Sequence, residues 1–128
     1  MNRFASERAS ERERLLNLAV QYADAVRRKY GPATILLYGS VARGDFNSWS
    51  DVDVLVVSDR LPAHPLERSK TLQDLAYPGI EPKGYSLSEY REARRRDLPF
   101  MRDLAAYCVV LGDDLGVAEG LARPQESR

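Results

Sequence analysis

An α/β (α+β) fold is predicted for this 128-residue chain by three observations. Two short and almost wholly apolar runs, Ala33–Tyr38 and Val52–Val57, have the length and β-branched content of strands covered on both faces. A small-residue turn, Gly39-Ser40, follows the first run directly. Segments with helical apolar spacing precede, separate and follow the two runs.

The elements are expected in the following order. Ser10, with Glu13 three residues later, makes a capping box for a first helix whose apolar stripe is Leu15, Leu18, Ala19, Tyr22 and Val26, and Gly31-Pro32 ends it. The strand Ala33–Tyr38 leads through Gly39-Ser40 into a short helix that Gly44 closes, and Asp45–Trp49 is a loop. Val52–Val57 should occupy the sheet centre. Two prolines make Ser58–Pro65 irregular, Leu66–Tyr77 is weakly amphipathic, and Pro78-Gly79 breaks that helix. Ile80–Leu87 reads as a strand on which Glu81, Lys83 and Tyr85 share a face, and Pro82 places it at an edge or bulge. Ser86 or Ser88 caps the next helix, with Glu89 at capping-box distance from Ser86. Pro99 opens a final helix. The order is α-β-α-β-α-β-α-α, with Val109–Leu111 as a candidate fourth strand and, after Gly112, a polar tail without apolar periodicity apart from Leu115, Val117 and Leu121.

Composition narrows the function classes. The length suits one domain, 1–128, with flexible termini at about 1–9 and 113–128. Nineteen basic residues balance 19 acidic ones, so no net field draws the chain to nucleic acid. Cys108 is the only cysteine and lies in the apolar stretch Ala105–Leu111, where it behaves as a small buried hydrophobe; disulfide and zinc frameworks are excluded. Met1–Arg14 alternates Arg, Glu and Ser without an apolar core, which fits neither a secretory signal nor a membrane anchor. A cytoplasmic protein with no membrane partner is expected.

Chemistry concentrates around the two apolar runs. Asp51 and Asp53 are two apart at the head of a strand, so their side chains leave one face and can share a cation. Gly39-Ser40 offers backbone N–H groups at the start of a helix, where phosphate oxygens are well accommodated. Either feature alone is ordinary: a strand-end Asp pair is usually a solvated loop start, and Gly-Ser usually a turn. Together, each beside an apolar strand, they point to a metal–nucleoside triphosphate site.

Gly39, Ser40, Ala42, Arg43, Gly44, Ser50, Asp51 and Asp53 stand at the spacing of the nucleotidyltransferase superfamily typified by DNA polymerase β, and the chain resembles its minimal nucleotidyltransferases. That resemblance implies a small mixed β-sheet flanked by helices and a magnesium-dependent transfer of a nucleoside monophosphate, AMP from ATP, to a hydroxyl or phosphate acceptor. It implies one or two Mg2+ ions on Asp51 and Asp53. It also implies a third carboxylate from a neighbouring strand, for which Glu81 is the candidate as both ligand and base. The departure is that a glutamate followed by proline stands where many relatives carry aspartate. By the same resemblance Gly39 and Ser40 hold the β- and γ-phosphates, and a small helical HEPN-type protein is the implied partner and acceptor, as in a toxin–antitoxin pair. Self-association is the other source of an acceptor pocket. The alternative function is a non-catalytic nucleotide-binding regulatory subunit.

Several residues admit two readings. Arg43 contacts the triphosphate or ribose, or pairs at the surface with Asp45. Lys83 is a candidate partner of the leaving group. Trp49 covers the nucleotide or packs. Arg91, Arg94, Arg95 and Arg96 bind an acidic partner or RNA, or form a solvated face, which is the commoner use of such a run. His64, between prolines, is not expected to be a ligand or base. Tyr22, Tyr30 and Tyr107 read as core or boundary residues.

Overall fold

The strand Thr34–Tyr38 (β1) pairs on both sides in the computed structural model, which describes residues 3–47 and 49–121. It runs antiparallel to Val52–Val57 (β2) on one side and to Val109–Asp113 (β4) on the other. β2 in turn runs parallel to Ile80–Tyr85 (β3), giving a mixed sheet in the order β3-β2-β1-β4. A parallel pair needs a crossover, and the helix Pro65–Leu75 between β2 and β3 supplies it. The candidate fourth strand is real and two residues longer than its apolar run.

Alternation along the strands divides the core in two. Ile35 and Leu37 of β1, Val52, Val54 and Val56 of β2, and Ile80 of β3 pack with Leu15, Ala19, Tyr22 and Val26 of the long helix Arg3–Tyr30 (α1) and with Leu72 of Pro65–Leu75 (α3). On the opposite face Leu36, Leu55 and Val57 meet Tyr90 and Ala93 of Leu87–Arg96 (α4) and Met101 and Leu104 of Pro99–Tyr107 (α5). Cys108 is buried in this second layer. β2 is interior because it pairs with β1 on one side and β3 on the other, and both of its faces are covered beyond Asp53, as its nearly all apolar sequence anticipates.

β3 lies at the edge, as Pro82 requires. Val52 donates to Gly79 O and Ser58 to Tyr85 O, which turns the backbone of Glu81, Lys83 and Tyr85 toward β2 and that of Ile80, Pro82 and Gly84 outward. Two of the outward groups have partners, and a third position has no donor. Ile80 N bonds Tyr77 O, Pro82 has no N–H, and Gly84 O accepts from Arg68 at 3.2 Å. The proline and these two contacts blunt the edge against pairing with a foreign strand.

Four expectations need correction. The first helix does not start at Ser10: it begins at Arg3, and Ser10 lies inside it. Residues 3–14 are mostly good helix formers, reinforced by the pairs Arg3–Glu7 (3.2 Å) and Glu11–Arg14 (2.7 Å). The segment after Gly112 is not simply a polar tail. Asp113 accepts from Thr34 Oγ1 (2.7 Å) and from the N–H groups of Val117 and Ala118, while Asp114 binds Arg27 and Ala33 N, turning the chain so that Ala118 and Leu121 become buried. The third strand stops at Tyr85, because Ser86 caps α4 in a full capping box with Glu89. Trp49 is 90% exposed, so it does not pack in the core. Of the termini expected to be flexible, residues 1–2 and 122–128 lie outside the described residues.

His64 has a structural use. Its Nδ1 accepts from Leu66 N and caps α3, with Pro65 at the first helical position. Among the described residues no helix is long and apolar enough to cross a membrane.

Candidate active site

At one end of the sheet, register brings the predicted residues together. Tyr38 of β1 is the antiparallel partner of Asp53, and Asp53 is the parallel partner of Glu81. Residues so paired point to the same face, which is the face of α4 and α5. Glu81, some thirty residues beyond Asp53 in the chain, is thus its neighbour across one strand spacing, about 4.8 Å.

The turn after β1 closes over this row. Gly39 has φ +79°, a conformation that favours glycine. A Cβ there would overlap Asp53 Oδ2. The turn opens the short helix Gly39–Arg43 (α2), which Gly44 ends at φ +95° with its N–H on Ser40 O at 2.8 Å. The loop onward is held by Asn47 and Ser50: Asn47 N donates to Ser50 Oγ (2.9 Å) and Trp49 N to Asn47 Oδ1 (2.8 Å). This delivers Asp51 immediately ahead of β2. Asp51 is exposed, Asp53 half-buried and Glu81 exposed.

Among the described residues no ion pair or side-chain hydrogen bond holds any of these three carboxylates. Burial raises the Asp53 pKa above its ordinary value, and the charges of Asp51 and Glu81 raise it further; Lys83 and Arg43 oppose them. Tyr38 feels the same field, its phenol pushed up to about 12 by burial and then by Asp53, Tyr85 and Glu81. The electrostatics therefore show a concentration of negative charge with too little cation to balance it. Hard oxygen donors of this kind suit magnesium. Among the described residues no three Asp, Glu, His or Cys side chains converge into a ready-made metal cage.

Aromatic rings line the same face. Phe100 of α5 lies 5.9 Å from the Tyr38 ring and 6.4 Å from that of Tyr85, and Lys83 Nζ stands 4.9 Å above Phe100. Lys83 is thereby held beside the carboxylates. Arg43 reaches Asp45 at 3.2 Å and Asp103 of α5 at 2.9 Å, so its surface pairing is present while its charge still acts on Asp53.

Tyr38 and Phe100 are residues of this face that the sequence expectations did not include. Tyr38 was within reach, since it ends the apolar strand one residue before the glycine. Phe100 had no local signal. The four arginines Arg91, Arg94, Arg95 and Arg96 on α4 stand apart from the carboxylates: Arg95 pairs with Glu92 at the helix surface and Arg94 donates to Tyr90 OH. An open groove of about 700 Å³, lined in part by Arg68, Tyr85, Glu89 and Arg96, contains none of the three carboxylates.

Comparisons with known proteins bear on the fold and the family. A curated protein of Methanocaldococcus jannaschii, named "putative protein adenylyltransferase", is 34% identical over 76 residues, which are 58% of this chain and 52% of that one. The chain thus spans about half the length of the curated relative it matches. A crystal structure described as "a putative nucleotidyltransferase from Sulfolobus solfataricus" superimposes with a TM-score of 0.63 over 90% of this chain and 92% of the other. At 17% identity that likeness concerns the fold. The family model described as nucleotidyltransferase domain matches residues 20–109, a span that includes Gly39, Ser40, Asp51, Asp53 and Glu81. The chain belongs to the nucleotidyltransferase domain family.

Proposed function

We propose that this domain transfers a nucleoside monophosphate, AMP from ATP, to a hydroxyl or phosphate acceptor. The observation that carries the reading is the row Asp53–Glu81, with Asp51 beside it and the Gly39-Ser40 turn closed over Asp53. In the reaction a bond forms between the acceptor oxygen and the α-phosphorus, the bond from that phosphorus to the bridging oxygen breaks, and pyrophosphate leaves.

Each residue has a part consistent with its surroundings. Asp51 and Asp53, with Glu81, would hold magnesium. When bound, that ion offsets charge on the phosphates and on the entering and leaving oxygens. Glu81, exposed at the sheet edge, takes the acceptor proton. Gly39 and Ser40 hold the β- and γ-phosphates through backbone N–H groups and the Ser40 hydroxyl, with no Cβ at Gly39 to obstruct Asp53. Lys83 and Arg43 supply positive charge at the margin of the site. The setting is a soluble, cytoplasmic one.

The acceptor is a protein. The name of the Methanocaldococcus relative supports this, and the resemblance to minimal nucleotidyltransferases favours a small helical HEPN-type partner, as in a toxin–antitoxin pair; a second copy of this chain is the other candidate. The testing experiment is calorimetric titration of ATP, GTP, CTP and UTP with and without magnesium, on the wild type and on Asp51→Ala/Asp53→Ala. Magnesium-dependent binding of ATP that disappears in the double variant is the expected result. No binding to the wild type would overturn the reading. A purely regulatory subunit would bind nucleotide and transfer nothing to any partner.

A further inference from the structure

α2 is five residues long, too short to persist on its own, because a helix of one turn bears the whole cost of nucleation. Three of its five carbonyls, and two more just beyond it, are nevertheless engaged from outside its own helical ladder. Ser40 O takes the Gly44 N–H. Val41 O accepts from Arg12 Nε at 3.0 Å and Ala42 O from Arg12 Nη2 at 3.3 Å. Gly44 O and Phe46 O both accept from Arg8 Nη2 at 2.9 Å, and the Arg8 guanidinium lies 4.4 Å from the centre of the Phe46 ring. Arg8 and Arg12 are one turn apart on α1 and reach across some thirty residues of chain to do this.

We infer that Arg8 and Arg12 are positioning residues of the nucleotide site, holding α2 so that the Gly39-Ser40 turn keeps its place over Asp53. The inference rests on the reading of that turn as the phosphate-binding element. Two cations at the carbonyl end of α2 complement the negative end of its dipole. The planar fork of Arg12 bridges two successive carbonyls, which a lysine ammonium does only in part. The other α1 arginine in this region, Arg14, is tied to Glu11 on the same helix and serves as the control.

The test is calorimetry with ATP and magnesium on the wild type, Arg8→Ala/Arg12→Ala, Arg12→Lys and Arg14→Ala, with thermal melts of each. The expected result is a Kd raised at least 10-fold in the double variant, a smaller rise in Arg12→Lys, and no change in Arg14→Ala. The core of α1 lies further along at Leu15–Val26, so melting should move by a few degrees only. If the double variant does not fold, Arg12→Lys, which keeps the charge, decides by the same Kd criterion. Wild-type affinity in the double variant, or an equal loss in Arg14→Ala, overturns the inference while the nucleotide site stands. Absence of binding in the wild type overturns both.

Discussion

Asp53 occupies the space that a side chain on Gly39 would need: a Cβ built at Gly39 overlaps the Asp53 carboxylate, and Gly39 itself sits at φ +79°. The glycine of the turn and the aspartate of the neighbouring strand therefore form one packed unit. Gly39→Ala should cost about 1–3 kcal/mol through left-handed strain and overlap. It should also weaken ATP binding by roughly 10-fold or more by displacing the turn or the carboxylate. Denaturant melts and calorimetry on the same preparation measure the two effects.

Asp53 gives stability a pH dependence whose sign is fixed. Its native pKa is raised by burial and by Asp51 and Glu81, so the native state holds this proton more tightly than the unfolded chain does. The contribution is fully present below the unfolded pKa and is lost as pH rises through the raised native value. In chelator, Asp53→Asn should melt higher than the wild type at neutral pH, by a few degrees, and the difference should shrink as pH falls toward 4. A Tm difference independent of pH would contradict the electrostatic cause.

Magnesium should reverse that penalty. Millimolar magnesium is expected to raise the wild-type Tm at neutral pH and to leave Asp53→Asn and Asp53→Ala unmoved, since a ligand that binds only the native state stabilises it by mass action. Scanning fluorimetry with magnesium against sodium at matched ionic strength separates binding from screening.

Glu81 tests transfer separately from binding. Glu81→Gln is expected to lower incorporation of labelled nucleotide into a partner by about 10²–10⁴-fold, the usual worth of a positioned general base. Calorimetric ATP affinity should fall far less than labelling, because Asp51 and Asp53 remain to hold magnesium. Undiminished labelling would remove Glu81 from the mechanism.

The edge strand that carries Glu81 depends on Arg68. Arg68 is 8% exposed, and its guanidinium donates to Pro62 O (2.9 Å), Gly84 O (3.2 Å) and Glu89 Oε1 (2.7 Å). Glu89 meanwhile caps α4 through Ser86 N (2.7 Å), and these contacts hold its carboxyl below the usual range. Arg68→Ala should cost about 2–3 kcal/mol, lowering Tm by roughly 6–12 °C, because it strips three elements of a shared donor. Thermal melts check this.

Local patterns in the sequence determined most of the elements. The apolar runs gave β1 and β2, Pro82 the edge position of β3, Ser86 with Glu89 the cap of α4, and the spacing from Gly39 to Asp53 the family. These rest on interactions within a few residues, where side-chain period and backbone preference act directly. Tertiary structure decided the rest. Strand pairing set Asp53 beside Glu81 and Tyr38 beside Asp53, and sheet register depends on the whole core rather than on either strand. The α1 segment from Arg3 became helix and its arginines found α2, while Asp113 and Asp114 folded the last described residues back onto Thr34 and Arg27. The contacts of Arg8, Arg12, Asp113 and Asp114 each satisfy a polar side chain with a partner remote in the chain, and a charged residue carries the same local signature whether it ends in water or on such a distant group.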